Sequence, residues 1–342
     1  MGRAKMFLRL SALATAIVLT AACQTGDDSG AGGPTGSAAA TRHLTYLTAF
    51  GAAGRDAFAW VAQEKGYFRD AGLDVDIKLG AATGENLKAL AAGQADFASL
   101  DLIGAFILAG KGTYKDFRAI SATHQQSLVS IIAPAAGPVK KPADLAGKTL
   151  GAATGSVNQL LFPAYAAKAG VPAASVKWVN TTPQQVPALL AAGRVDALST
   201  FLIGRPGIEK AAGKPMTVLP YSDALPDLYG NGIVTSTKIA TGEPDLAKRF
   251  QQAALKGLEY TIAHPAEAAA LLHQRNPASA AAAAEAEITL MTPYTAAPAG
   301  QPLGSLDRDR VTRAIAVLTG ASLFPAGLTA DQVVDFNLTP KP

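Results

Sequence analysis

The sequence predicts an α/β protein of two similar lobes, each built on a mainly parallel sheet, and three observations carry that reading. From Leu44 onward, short β-rich apolar runs alternate with Ala/Leu-rich stretches, the order that gives parallel strands flanked by helices. The same order then runs a second time. Third, the phrase Ala89-Leu90-Ala91-Ala92-Gly93-Gln94-Ala95-Asp96 returns as Leu189-Leu190-Ala191-Ala192-Gly193-Arg194-Val195-Asp196. Each copy reads as a helix end, a glycine cap at positive φ and the start of a strand, because glycine takes that conformation without Cβ strain. One such phrase is ordinary in Ala-rich helices; two in equivalent places imply two similar lobes.

In the first unit, strands are expected at 43–48, 73–79, 95–100 and 117–122, with helices at 55–68, 85–92 and 102–109. In the second, strands at 149–152, 176–180, 196–200 and 216–219 enclose helices at 157–169, 183–192 and 201–211. Pro163 lies inside one of these and should kink it, since proline removes a donor and clashes with the preceding turn. The prolines and glycine of 131–142 mark the first crossing between lobes, and 220–232 the second. The chain then goes out once and back once. Lobe 1 comprises 42–132 plus 233–342, and lobe 2 comprises 133–232 with the crossover segments at its edges. The returning tail should be mostly helical, with 245–263 and 278–291 as its clearest helices. Two lobes joined by two crossovers form a hinged cleft.

The chain has 342 residues, 49% of them hydrophobic, enough to fill two cores. Its formal charge of +4 includes Arg3, Lys5 and Arg9, and without those three cations only +1 remains. No dense Lys/Arg cluster follows, which excludes a nucleic-acid partner. One cysteine excludes an internal disulfide framework, and with four histidines it leaves little material for a metal site. Residues 1–22 read as a secretory signal: a basic start, an apolar run from Leu10 to Ala22, and small residues before Cys23. Leu19-Thr20-Ala21-Ala22-Cys23 resembles the lipobox of bacterial lipoproteins, with Thr20 where an aliphatic residue is usual. That resemblance implies a lipid on Cys23, anchoring the protein to the outer face of the cell membrane. Residues 23–41, rich in Gly, Ser and Asp, read as a flexible tether.

Three phrases carry a wider resemblance. Glu64-Lys65-Gly66-Tyr67-Phe68 followed by Ala71-Gly72-Leu73-Asp74-Val75, Leu90-Ala91-Ala92-Gly93 leading to Asp96-Phe97-Ala98, and Asp144-Leu145-Ala146-Gly147-Lys148-Thr149-Leu150-Gly151 stand in order along the chain. They resemble the solute-binding proteins for nitrate, sulfonate and taurine and the thiamine-pyrimidine-synthase-like proteins. The resemblance covers Leu44 to about Val234 and is looser beyond. It implies a type 2 periplasmic-binding-protein fold, capture of a small molecule between lobes, and delivery to an ABC permease and its ATPase, by a monomer that needs no cofactor and performs no chemistry.

Ligands of open α/β sheets bind beyond the carboxyl ends of the strands. After the first strand come Phe50, Gly51, Arg55 and Asp56: an apolar face, backbone that can approach closely, and a guanidinium suited to a carboxylate, sulfonate or nitrate. Arg55 and Asp56 read equally as a solvated pair in the first helical turn. Thr83 follows the second strand, Asp101 the third and His124 the fourth. Thr83 and Asp101 would otherwise serve as helix caps, and His124 as a structural residue. In the second lobe, Ser156, Val157 and Asn158 open a helix whose N–H groups would suit an anion. Asn180, Thr181, Thr200 and Phe201 follow later strands. Tyr229-Gly230-Asn231, in the second crossing, could turn either an aromatic or an amide to the cleft.

Arg55 and the Ser156 helix end favour a small organic anion such as a sulfonate, taurine or nitrate. Phe50, Asp101, His124 and Tyr229 favour a flat nitrogen heterocycle such as a thiamine-precursor pyrimidine. No G-x-S-x-G, H-E-x-x-H or G-x-x-x-x-G-K-[ST] occurs, and His264 and His273 read as a solvated helix face. Pyrimidine synthases that consume their own histidine and bound pyridoxal phosphate carry a cysteine-rich motif that this chain lacks. A lipoprotein sensor without transport remains open on sequence alone.

Overall fold

The repeated phrase folds identically in its two copies in the computed structural model, which describes residues 41–342. Gly93 and Gly193 have φ of 68° and 66°. In the first copy Gly93 N–H reaches Leu90 O at 3.0 Å and Gln94 N–H reaches Ala89 O at 2.9 Å. In the second, Gly193 pairs with Leu190 and Arg194 with Leu189, both at 3.0 Å. This is the Schellman closure, which satisfies carbonyls the helix end would otherwise orphan. The aspartate ending each phrase docks on a neighbouring strand: Asp96 Oδ2 accepts Thr45 N–H and Asp196 Oδ2 accepts Thr149 N–H, each at 2.8 Å.

Ten strands form two five-stranded sheets. The first contains β1 (Arg42–Leu47), β2 (Leu73–Lys78), β3 (Phe97–Asp101) and β4 (Phe117–Ala122); the second contains β5 (Val129–Pro134), β6 (Thr149–Ala153), β7 (Lys177–Thr181), β8 (Ala197–Phe201) and β9 (Met216–Pro220); β10 (Asn231–Ser236) returns to the first. The orders are β2-β1-β3-β10-β4 and β7-β6-β8-β5-β9. Four strands of each sheet run one way. The fifth, β10 or β5, is antiparallel to both its neighbours.

Those reversed strands are the crossing segments, and here the structure corrects the sequence reading. β5 pairs with β8 and β9 along its length, with Ile131 and Ile132 fully buried. A lobe boundary between 132 and 133 would cut it. The link out is 123–128, and the prolines and glycine behind the expected boundary instead shape the turn after β5, where Gly137 N–H reaches Pro134 O at 2.8 Å. Likewise the return to the first sheet starts at Asn231, within β10. Neither strand alternates polar and apolar residues, because each is covered on both faces.

Helix breaks also have local causes. The stretch expected as one helix at 55–68 becomes Ala57–Glu64 and Tyr67–Asp70, separated at Gly66 with φ of 76°. That at 157–169 becomes Val157–Leu160 and Phe162–Ala169, with Pro163 in the first turn of the second piece, where its missing N–H costs nothing. The tail forms Pro244–Ala263, Pro265–Arg275, Ala281–Thr295 and Arg308–Gly320 among its helices. Phe250 stacks on Phe97 with centroids 4.0 Å apart, tying the tail to the first sheet. Gly257 permits close helix packing, since a Cβ there would lie 2.3 Å from Phe58 O.

Arg310, on the Arg308–Gly320 helix, holds both connecting segments. Its Nη2 donates to Gln125 O in the outward link and to Pro226 O at 2.9 Å in the returning one, and its Nε donates to Asp227 O at 3.3 Å. The guanidinium also stacks on Tyr229, 4.0 Å from the ring centroid. Hydrogen bonds from a charged donor contribute about 1.5–3 kcal/mol each, and removal orphans their carbonyls. Arg310→Met is therefore expected to lower the unfolding free energy by about 3 kcal/mol. Urea unfolding measures it, and a loss below a few tenths would show that the clamp contributes nothing.

Candidate functional site

A cleft of about 760 Å³ lies where the carboxyl ends of strands from both sheets meet. On the first-sheet side its loops are held by Thr48 and Asn86, buried residues that sequence reasoning did not single out. Thr48 Oγ1 donates to Gly51 O at 2.6 Å and accepts Gly80 N–H at 2.9 Å, while Asn86 Nδ2 donates to Thr48 O at 2.8 Å and Ser99 O at 2.9 Å. A Cβ on Gly80 would fall 1.9 Å from Thr48 O, so the two loops meet backbone to backbone. Gly51, at φ of 61°, shapes this turn and is not among the lining residues.

Of the sequence-predicted residues, Phe50, Arg55, Thr83, Asp101, Ser156, Val157, Asn158, Thr200 and Phe201 line the cleft. Phe50 stands 43% exposed at its edge. Arg55 is largely buried, with Nε 3.5 Å from Asp56 Oδ2 but without a hydrogen-bond partner. Asp56 itself turns inward: Oδ1 accepts Ala49 N–H at 2.9 Å, and burial, countered in part by Arg55, pushes its carboxyl up to about 6. It orders the loop and does not line the cleft, and it takes up part of the Arg55 charge. The solvated Arg55–Asp56 pair considered from sequence is thus a buried one.

Asp101 both lines the cleft and caps the Leu102–Gly110 helix, accepting Gly104 N–H at 2.7 Å; burial raises its carboxyl to about 6. Ser156 Oγ caps its helix through Gln159 N–H at 3.4 Å, but that helix, Val157–Leu160, has only four residues. The helix dipole is a sum over aligned peptide units, so the anion-attracting helix end expected there is weak. Asn158 is buried among the lining residues, and its Oδ1 has no partner among the described residues.

Four expected residues fall elsewhere. His124 is 1% exposed, accepts Asn231 N–H on Nδ1 at 3.3 Å and faces Met291 Sδ through Nε2 at 3.3 Å. Burial, aided by Arg55, lowers its pKa to about 3, so it is a neutral packing residue. Tyr229 is buried and its hydroxyl accepts Asp307 N–H at 3.0 Å; the amide of its segment, Asn231, lines the cleft instead. Asn180 is exposed away from it. Thr181 supports the cleft indirectly, because its carbonyl accepts Thr154 N–H at 3.0 Å and Thr154 is the lining residue.

Glu287 was missed. It comes from the Ala281–Thr295 helix, lines the cleft and accepts Gly54 N–H at 2.7 Å, and burial raises its pKa. Contact is close, since a Cβ on Gly54 would lie 2.4 Å from Ala284 O. A signal existed: Ala284, Ile288 and Met291 form the buried stripe of that helix at helical spacing, and Glu287 stands beside it. The cleft floor thus sets Asp101 and Glu287, with Asp56 behind, around the single guanidinium of Arg55. Among the described residues no His/Cys/Asp/Glu group could hold a metal, and no helix is long and apolar enough to cross a membrane. Cys23, the signal and the tether expected at 1–41 fall outside the described residues up to position 40.

Two α/β lobes, two crossovers and a cleft at the strand ends define the two-lobed periplasmic-binding-protein class. Residues 56–268, more than half of the chain, match the family described as NMT1/THI5 like, and the chain belongs to that family. A protein of Brucella abortus described as a binding protein is 26% identical over 208 residues, 60% of this chain and 63% of that relative. The riboflavin-binding protein RibY of Chloroflexus aurantiacus is 24% identical over 213 residues, 61% of this chain and 59% of its own. The match to these curated relatives thus spans under two thirds of their length. Among solved structures, the alkanesulfonate-binding protein SsuA of Xanthomonas axonopodis has a TM-score of 0.66 at 17% identity, over 88% of this chain and 99% of its own. The desulfurization enzyme DszB has the fold too, with a TM-score of 0.59 at 17% identity over 87% of this chain and 97% of its own.

Buried groups of opposite sign give a pH signature. Between about pH 4 and 6 the folded protein keeps protons on Asp56 and Asp101 that the unfolded chain has released, so each makes stability fall as pH rises through that window. His124 acts oppositely from about pH 3 to 6.5, where the unfolded ring binds a proton that the folded one refuses. Asp101→Asn removes one downward contribution. Relative to the parent, the variant should gain stability between about pH 4 and 7; parallel urea titrations showing a pH-independent difference would refute this.

Proposed function

We propose that the protein is the lipid-anchored, extracytoplasmic binding component of an ABC importer, and that its cleft captures a flat nitrogen heterocycle such as a thiamine-precursor pyrimidine. It captures and hands over its ligand without chemistry. One observation carries the choice of ligand: two carboxylates, Asp101 and Glu287, line the floor. Carboxylates accept from amine and ring N–H groups and repel a bare anion. Asn158 Oδ1, buried without a partner among the described residues, asks for a donor as well. Arg55 then meets a ring nitrogen or carbonyl, and Phe50 offers a face for stacking. Membership of the NMT1/THI5-like family and the heterocycle named for the Chloroflexus relative support the same reading.

A second reading, a sulfonate, taurine or nitrate, draws on Arg55, whose Nε lacks a hydrogen-bond partner, and on the ligand named for the SsuA proteins. Against it stand the Asp56 carboxylate 3.5 Å from that guanidinium and the single-turn helix at Ser156.

The test is a thermal-shift panel of an aminopyrimidine, riboflavin, an alkanesulfonate, taurine and nitrate, because a ligand of the native state raises the melting temperature. A heterocycle should stabilise the protein, with Asp101→Asn or Glu287→Gln weakening it about tenfold or more and Arg55→Ala weakening it less. Stabilisation by the sulfonate alone, lost in Arg55→Ala, would install the second reading. The anchor is tested separately. Cys23→Ala should move the expressed full chain from the membrane fraction to the soluble one, and unchanged membrane association would remove lipid on Cys23 from the proposal.

A further inference from the structure

The carboxylate floor uses only part of the cleft. From there the lining continues along one side of the Leu102–Gly110 helix: Asp101 is its N-cap, Gly104, Ile107 and Leu108 follow, and Lys111 is its C-cap. Gly104, Leu108 and Lys111 are spaced as one helical stripe. Across the nine residues of that helix, at ~1.5 Å per residue, Asp101 and Lys111 stand about 15 Å apart. Gly104 opens the way, since a Cβ there would lie 3.4 Å from Asp101 Oδ1 and from Thr83. On the second-sheet side the lining includes the apolar Leu160, Pro183 and Val186. Lys111 is exposed at the far end and makes no ion pair among the described residues. A volume of about 760 Å³ also exceeds what a lone small ring or anion needs, falling in the range that accommodates drug-sized molecules.

We propose that this stretch is a second compartment of the cleft, taking an apolar arm of the ligand and pairing an anionic group at the end of that arm with Lys111. The inference rests on the reading of the floor as the seat of an N–H-bearing head. The ligand is then bipolar: a nitrogen head at Asp101 and Glu287, an apolar body along Ile107 and Leu108, and an anion at the mouth. The charge pattern fits that polarity and resists the reverse one. An anion placed at the floor would face two carboxylates, and a cationic tail would face Lys111.

The experiment uses aminopyrimidines bearing ω-carboxyalkyl arms of increasing length, the matching uncharged amides, and naphthalene-2-sulfonate as a probe with an apolar body and an anion but no N–H. Affinity should rise with arm length by up to about fourfold per methylene until the arm reaches the mouth, and a full-length acid should bind up to about fivefold better than its amide. Lys111→Met should bring the acid-to-amide ratio close to unity, and Leu108→Glu should abolish the length dependence. Lys111 is exposed, so its change leaves the core intact, whereas Leu108 is partly buried against the core, and urea unfolding of Leu108→Glu checks that the variant remains folded. If the congeners bind with no dependence on arm length, or the acid-to-amide ratio survives Lys111→Met, the second compartment is overturned while the head reading stands. If no aminopyrimidine binds but naphthalene-2-sulfonate binds and is weakened by both variants, the head reading falls and the compartment stands. Binding of neither probe overturns both.

Discussion

The arrangement depends on an exchange of strands between the two sheets, and Arg310 is where that exchange is pinned. β5 and β10 each lie between two strands of the sheet they enter, antiparallel to both. Neither sheet is complete without a strand delivered by the other half of the chain. The links that deliver them, 123–128 and 221–230, run side by side, and one guanidinium donates to carbonyls of both. A lysine could not do this, since a point charge lacks the planar fork that meets several carbonyls together. The inserted strands are held in place by buried aliphatic side chains, among them Ile131, Ile132, Ile233 and Val234, worth about 1.5–3 kcal/mol each.

Strand exchange also places the cleft. In each sheet the segments after three of the four co-directional strands, β1, β2 and β3 in the first and β6, β7 and β8 in the second, converge on it. The tail then adds what no strand loop supplies. Glu287 arrives on a helix more than two hundred residues from Gly54, whose N–H it accepts. It adds a second carboxylate to the lining beside Asp101, so that Arg55 does not set the charge of this part of the cleft alone. Burial holds Asp101 and Glu287 at raised pKa values, because desolvation disfavours the charged form.

Much of the fold was legible from local pattern. Alternating β-rich and Ala/Leu-rich stretches placed eight strands close to where they occur, and the duplicated Gly-x-x-Asp phrases announced two lobes, because a Schellman closure and its strand-docking aspartate are local devices with local signatures. The two crossing strands were hidden. A strand inserted in the middle of a sheet has no polar face to expose its period, and the prolines and glycine from its last residue, Pro134, onward made β5 read as a boundary. Of the expected site residues, Arg55, Thr83, Asp101, Ser156, Asn158 and Thr200 line the cleft because they follow strand ends, which converge there. His124 follows a strand end as well and does not line the cleft, since a side chain beyond a strand can turn into the core as readily as into the cleft.

The sequence by itself therefore determined the class of architecture, the duplication and the loops from which a binding site is made, all of which follow from periodicity and turn chemistry within short windows. Only the tertiary structure decided which charged groups line the cleft. Partial neutralisation of Arg55 by Asp56, arrival of Glu287 from the tail, the one-turn helix at Ser156 and the reach of the cleft to Lys111 are relations of distance and burial. Charges act through space and desolvation, and neither is written in the order of residues along a chain.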